Sequence, residues 1–302
     1  MKSIILIYAL MLFCMTSYSQ IKDPQYQEGV KSFRKGDLPA SLTWFDKAIK
    51  AYPDSAQSYF MRGATYLRMQ QFKQAIPDLN KCIELHYISP VTYSYRGLAK
   101  FYLMDYPGAL NDFNQQIKLY PKEPDNYRNR AMANAMMDNF PEAIVDYNKA
   151  IQLNPNKAEY WIRRGAAKTK LRLFQEGMDD LNKALELEPN NASAYSYRGL
   201  NKVMANNFSG ALPDLDKAIT LDSLALDAYV NRGQAKIPLK DYKGALQDLN
   251  FVLKHTPDDR YALGFRASAK AALGDKAGAC ADYRRYLQLG ASPIPEVESI
   301  CK

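Results

Sequence analysis

Arg62, Arg96, Arg130, Arg164, Arg198, Arg232 and Arg266 stand 34 residues apart, and Asp78, Asp112, Asp146, Asp180, Asp214, Asp248 and Asp282 each follow their arginine by 16. A guanidinium and a carboxylate repeated at one fixed separation are suited to ion pairing, and ion pairing on this scale is scaffold chemistry. Other reactive groups are sparse. His86 and His255 lie about five repeats apart, too far to share a metal ion. The adjacent acids Asp179-Asp180 and Asp258-Asp259 fall on a helix or a turn, where they solubilise rather than catalyse. The sequence holds no phosphate-binding loop, zinc-binding pair, nucleophile elbow or dinucleotide fingerprint. No catalytic, cofactor or metal residue is assigned, and the chain is read as a non-enzyme.

An interval kept over seven copies means one structural unit in tandem, a solenoid. Eight units run without insertion over 22–55, 56–89, 90–123, 124–157, 158–191, 192–225, 226–259 and 260–293. Each reads as two amphipathic helices. The first carries an aromatic (Tyr59, Tyr93, Tyr127, Trp161, Tyr195, Tyr229) and, four residues on, a small residue (Gly63, Gly97, Ala131, Gly165, Gly199, Gly233). After a polar turn such as Gly36-Asp37 or Met104-Asp105, the second carries Ala75, Ala109, Ala143, Ala211, Ala245 or Ala279 and then a bulky residue such as Leu79 or Phe113. Pro53, Pro121, Pro155, Pro189 and Pro257 close their units, because proline cannot continue a helix. Pro39, Pro107 and Pro141 fit the start of second helices, where a missing N–H costs nothing. Pro77 and Pro213 fall four residues deeper, and a shifted or tightened first turn is expected there.

This pattern resembles the tetratricopeptide repeat over nearly all of residues 20–293. The resemblance implies an all-α fold, a right-handed α-solenoid superhelix of eight 34-residue helix-turn-helix repeats, about one superhelical turn in all. The family usually has leucine where this chain has its arginines. Unit 1 lacks both ladder groups, with Glu28 for the arginine and Trp44 for the aspartate. Pairing within each unit leaves no orphan, whereas pairing across units strands one group at each end unless Glu28 rescues Arg62. The end units therefore favour pairing within the unit, with the neighbour as the alternative. Lys100, Lys168, Lys202, Lys236 and Lys270, one turn after their arginines, are placed to join the network.

At the N-terminus Lys2, an apolar run Ile4–Met15 and the small-residue stretch Ser17-Tyr18-Ser19 describe a secretory signal peptide, 1–19, cut before Gln20. The run is too short for a membrane-spanning helix, which needs about 20 residues. Phe13 before Cys14 is too bulky for lipoprotein processing. The expected protein is exported, periplasmic or extracellular. Loss of Lys2 lowers the net charge from +8 to +7. The cations are spread one unit at a time among carboxylates, which argues against a nucleic-acid site. Cys82 takes a place held elsewhere by Ala48, Ala150, Ala184 and Ala218, as a small core residue does. In an oxidising compartment Cys280 and Cys301 could form a disulfide that pins the tail, 294–302, back as a cap, with Val297 and Ile300 covering the last core.

Structural places repeat, whereas binding places are free to vary. By the resemblance, first helices line a concave groove, at Phe60, Ala64 and Leu67; Leu98, Phe101 and Tyr102; Arg128, Met132 and Met136; Ile162, Ala166 and Lys170; Leu200, Val203 and Met204. That strip is apolar and rich in Met, which suits extended or varied ligands. The expected partner is a protein or peptide. The alternatives are a self-assembling envelope protein joined through its ends, or a binder of an anionic polymer.

Overall fold

The computed structural model describes residues 23–89 and 91–302, which form 17 helices and no strand. The leader expected at 1–19 lies outside these residues. Two compact bodies meet in sequence at Asn154 and Pro155. The first holds four helix pairs: α1 Pro24–Lys35 with α2 Leu38–Ala51, α3 Ala56–Arg68 with α4 Phe72–Glu84, α5 Thr92–Tyr102 with α6 Tyr106–Leu119, and α7 Pro124–Met136 with α8 Phe140–Leu153. The second holds α9 Ala158–Lys170 with α10 Phe174–Leu187, α11 Ala192–Met204 with α12 Phe208–Leu221, α13 Leu226–Lys236 with α14 Tyr242–His255, and α15 Arg260–Ala272 with α16 Lys276–Gln288. A short α17, Pro295–Cys301, follows. Inside each body every later first helix packs against the second helix before it.

Local chemistry fixes the boundaries. The turn inside each unit passes through one left-handed residue: Gly36, Gln70, Met104, Asp138, Arg172, Asn206, Lys240 and Gly274 all have positive φ and stand 34 apart. That residue closes the first helix; at Met104 the next amide, of Asp105, donates to the Lys100 carbonyl at 2.9 Å. The following residue stands at the start of the second helix, where Asp105 and Asp241 cap it, each accepting from a backbone N–H at 2.9 Å. Pro39, Pro107 and Pro141 occupy the second helical position, as the sequence implies. Pro77 and Pro213 do not shift the first turn. Helices α4 and α12 start at Phe72 and Phe208, in register with Phe140 and Phe174, and run on through the proline. Both prolines and the residues four before them, Lys73 and Ser209, are exposed, so water can take the carbonyl each proline leaves unpaired.

The small-residue column allows close approach of paired helices: a Cβ on Gly97 would lie 2.6 Å from a ring carbon of Phe113. Above and below, fully buried Phe45, Leu79, Phe113, Leu181, Leu215 and Leu249 fill the middle of the units. Cys82 is buried there, its thiol donating to the Ala56 carbonyl at 3.2 Å, and burial pushes its pKa up.

Each ladder arginine grips the aspartate of its own unit with two N–H groups. In Arg130, Nε and Nη2 donate to the two oxygens of Asp146 at 2.8 and 2.7 Å. Arg62–Asp78, Arg96–Asp112, Arg164–Asp180, Arg198–Asp214, Arg232–Asp248 and Arg266–Asp282 repeat the contact. The lysines join it, Lys100, Lys168, Lys202, Lys236 and Lys270 lying 2.7–3.1 Å from the same carboxylates. Pairing with the ladder aspartate is thus within the unit, and a further N–H group makes a separate contact to the neighbour. Nη1 of Arg62, Arg96, Arg130, Arg198, Arg232 and Arg266 donates to Asp46, Asn80, Asn114, Asn182, Asp216 and Asn250, on the second helix of the unit before, at 2.6–2.8 Å.

The rungs are unequal. Tyr66 and Asn134 stand where other units carry lysine. Burial pushes the Asp78 carboxyl above its ordinary value, with Arg62 opposing. Burial acts the same way on Asp282, but hydrogen bonds from Arg266 and Lys270 outweigh it and hold that carboxyl below its ordinary value. A depressed carboxylate stabilises the fold above the unfolded pKa near 4, and the stability is lost as pH falls through the folded value. A raised one costs stability while ionised, and the cost is relieved as pH falls.

The last unit is closed by α17. Val297 is fully buried against Ala267 and Tyr283, with Ile294 and Tyr286 beside it. Ile294 rather than the half-buried Ile300 shares the covering with Val297. Seven residues are too few for a free-standing helix. The Cys280–Cys301 disulfide, with Cα atoms 5.4 Å apart, ties the tail down, and in the chain-entropy account closing such a loop is worth about 3 kcal/mol.

Three measurements check this description. Asp146→Ala, which strands a guanidinium against a vacated buried place, should cost about 3 kcal/mol by denaturant unfolding. Lys270→Met should move the Asp282 carboxyl pKa upward in an NMR titration, and the acid limb of the stability curve should move up with it. Met104→Gly should stabilise by roughly 0.5–1 kcal/mol, since glycine enters the left-handed region without steric cost.

Candidate binding surface

The places expected to line a groove fall into two sets, and the covering neighbours decide which. Phe60 is 3% exposed, stacked on Tyr95 of the next first helix with centroids 5.6 Å apart and tilted against Tyr87 at the same distance. Ala64 and Leu67 are buried with it in one core cluster. Ile162 is likewise buried in the core of the second body, packed with Leu181 and Leu185. These residues are packing, and a ligand cannot reach them. Val203 is buried too, beside Ala211 and Leu215.

Arg128 is a further correction. Expected to line the strip, it is 9% exposed, 3.5 Å from the Asp125 carboxylate, with Nη1 3.7 Å from the sulfur of Met132. Its charge is already engaged. The first body also holds a buried polar cluster that sequence reasoning missed. Ser94 donates to Asn126 at 3.2 Å, the Ser94 amide reaches Gln116 at 3.3 Å, and Asn126 donates to the Tyr120 carbonyl at 3.0 Å. Gln116 occupies the column of Ala48, Cys82 and Ala150, and that break in the column is the signal that marks it.

The remaining places in the first body stay open. Tyr102, at the end of α5, is 46% exposed, and Met136, at the end of α7, is 55% exposed. They are equivalent residues of successive units on packed helices. Phe72 stacks on Tyr102 at 4.6 Å and Phe101 meets it edge-on at 5.6 Å, so the ring is held while one side faces solvent. Leu98, Phe101 and Met132 are half-buried beside them, and the turn residues Leu103, Met104 and Met137 continue the apolar edge. In the second body Leu200 and Met204 are half-buried, Ala166 partly covered and Lys170 exposed. This surface offers apolar contact and polarizable sulfur. Among the described residues no group of three or more His, Cys, Asp or Glu could hold a metal ion, and no helix is long and apolar enough to cross a membrane.

Comparison with known proteins accords with this geometry. Residues 44–76, 124–157 and 158–191 match tetratricopeptide repeat models. Tetratricopeptide repeat protein 36 of Danio rerio is 42% identical over 60 residues, 20% of this chain and 32% of that protein, so the match spans about a third of the relative's length. Among solved structures, a tetratricopeptide repeat protein from Parabacteroides merdae superposes with a TM-score of 0.70 at 16% identity, over 81% of this chain and 97% of the other. YrrB, described as a protein of the same repeat with an unusual peptide-binding site, gives a TM-score of 0.50 at 21% identity, over 61% of this chain and 95% of its own. At such identities these structures speak for the fold. Segments 44–76, 124–157 and 158–191 thus match the tetratricopeptide repeat and the same helix pair recurs through both bodies; proteins built of this repeat typically serve as protein-interaction scaffolds.

Proposed function

We propose that this chain is a non-enzymatic scaffold that holds an extended peptide or protein segment against its first helices, and that it works outside the cytoplasm, in the periplasm or beyond the cell. One observation carries the binding reading: Tyr102 and Met136, at equivalent places on α5 and α7, are left 46% and 55% exposed, while Phe60 and Leu67 on the preceding first helix are covered. A rigid ring with a hydroxyl beside flexible sulfur suits ligands that vary in side chain and share an apolar character. Leu98, Phe101 and Met132 extend the contact, and Leu200 and Met204 offer a separate one on the second body. Export is supported by the order of Lys2, Ile4–Met15 and Ser17-Tyr18-Ser19, and by the Cys280–Cys301 disulfide, which suits an oxidising compartment.

Peptides selected from a displayed random library against the full chain test this. The selected peptides should be apolar, and their affinity should change little with salt, unlike that of an anionic polymer. Tyr102→Asp with Met136→Asp, both at exposed places, should weaken them by about tenfold or more with helicity unchanged. Equal affinity in the double variant, or a steep loss with salt, would sink the reading.

A further inference from the structure

The C-terminal end of the array lies apart from the strip just described and is closed by α17. In register, α17 is the beginning of a ninth first helix: Val297, Ile300 and Cys301 stand 34 residues after Leu263, Arg266 and Ala267. It packs against both α15 and α16, as α15 itself packs against α13 and α14. It therefore occupies the seat a further unit would take, and covers Ala267 and Tyr283 there, with Ala271 and Tyr286 partly buried around it. The hold is slight apart from the disulfide. Val297 is its one fully buried residue, the link 291–294 is irregular, and Gly290 turns with positive φ. Cys280 and Cys301 are both part-exposed, within reach of a dithiol.

The charges at the two ends of the array are matched. Within the bodies an arginine reaches back to an Asp or Asn on the unit before, as Arg62 does to Asp46 at 2.6 Å and Arg266 to Asn250 at 2.8 Å. The column of acceptors ends in Arg284, an exposed cation. The column of arginines begins with Glu28, whose side chain is 45% exposed and 3.1 Å from Lys31. Seated one on the other, the last unit and the first would make the same rung with its polarity reversed. The outward places of α1 in register, Gln25, Glu28 and Ser32, are part-exposed and polar. Such a face gives a weak, reversible joint whose register the charge pair sets.

We propose that the Cys280–Cys301 disulfide gates end-to-end association: when a dithiol reduces it, α17 leaves its seat and α1 of a second copy takes that seat, pairing Glu28 with Arg284. In the exchange the S–S bond breaks, both sulfurs become thiols with the dithiol's two protons and two electrons, and the dithiol closes to its own disulfide. The uncovered Ala267, Ala271, Tyr283 and Tyr286 then supply the apolar drive to re-cover the end.

Sedimentation of the full chain with and without dithiothreitol tests the proposal, beside Cys301→Ser as a form unable to latch and hydrogen exchange as a monitor of α17. The oxidised protein should sediment as a monomer. The reduced protein and Cys301→Ser should lose protection in α17 and associate as concentration rises. Glu28→Arg alone or Arg284→Glu alone should weaken association about tenfold, like charges then facing each other, and the two together should restore it. Reduced protein that keeps α17 protected, stays monomeric, or associates with no response to the charge reversals overturns it.

Discussion

A guanidinium presents its N–H groups in a rigid plane, and the whole array depends on where each ladder arginine aims them. Two go to the aspartate of its own unit and, in Arg62, Arg96, Arg130, Arg198, Arg232 and Arg266, a third goes to an Asp or Asn on the unit before. The first contact ties the helices of a pair; the second ties the pair to its predecessor. The aspartates are almost wholly buried, as with Asp146 at 4% side-chain exposure against 28% for Arg130. A carboxylate removed from water this far is costly unless it is fully hydrogen-bonded. The rung supplies those bonds, and the aromatic one turn before the arginine lies over its outer face, Trp161 with centroid 4.9 Å from the Arg164 carbon and Tyr195 5.3 Å from that of Arg198.

The ends follow from the same rule. Unit 1 carries Glu28 in place of the arginine, yet it keeps Asp46, which Arg62 needs. Unit 8 keeps Arg266 and Asp282, but carries Arg284 where the acceptor for a further unit would stand. Trp44, in the aspartate's place, has no arginine to hold and instead carries the Lys47 ammonium 4.3 Å from its ring. The repeat is thus a three-column ladder that lacks the arginine and aspartate columns in unit 1 and the acceptor column in unit 8.

How much of this could be read from the chain depends on whether the period alone decides it. Helix pairs, the Gly and Ala contacts and the arginine and aspartate columns recur every 34 residues, so they were legible. The acceptor column was equally periodic but mixes Asp46 and Asp216 with Asn80, Asn114, Asn148, Asn182 and Asn250, and a column of mixed charge is easily passed over. The left-handed turn was not legible, because Gln70, Met104, Asp138, Arg172, Asn206 and Lys240 share no chemistry. The binding strip was legible only in part. Position on a helix is set by the period, but exposure is set by what the next unit places alongside. Tyr95 covers Phe60, and Asp125 engages Arg128, while nothing among the described residues covers Tyr102 or Met136 to the same degree.

The claim that one arginine joins neighbouring units as well as its own helices is tested most directly by a double-mutant cycle on Arg130 and Asn114, read by equilibrium unfolding. Coupling of about 0.5–1.5 kcal/mol between the two, in a protein whose Arg130–Asp146 pair is intact in the Asn114→Ala background, is the expected result. Strict additivity of the two substitutions would contradict it, and would leave the rung a contact within the unit alone.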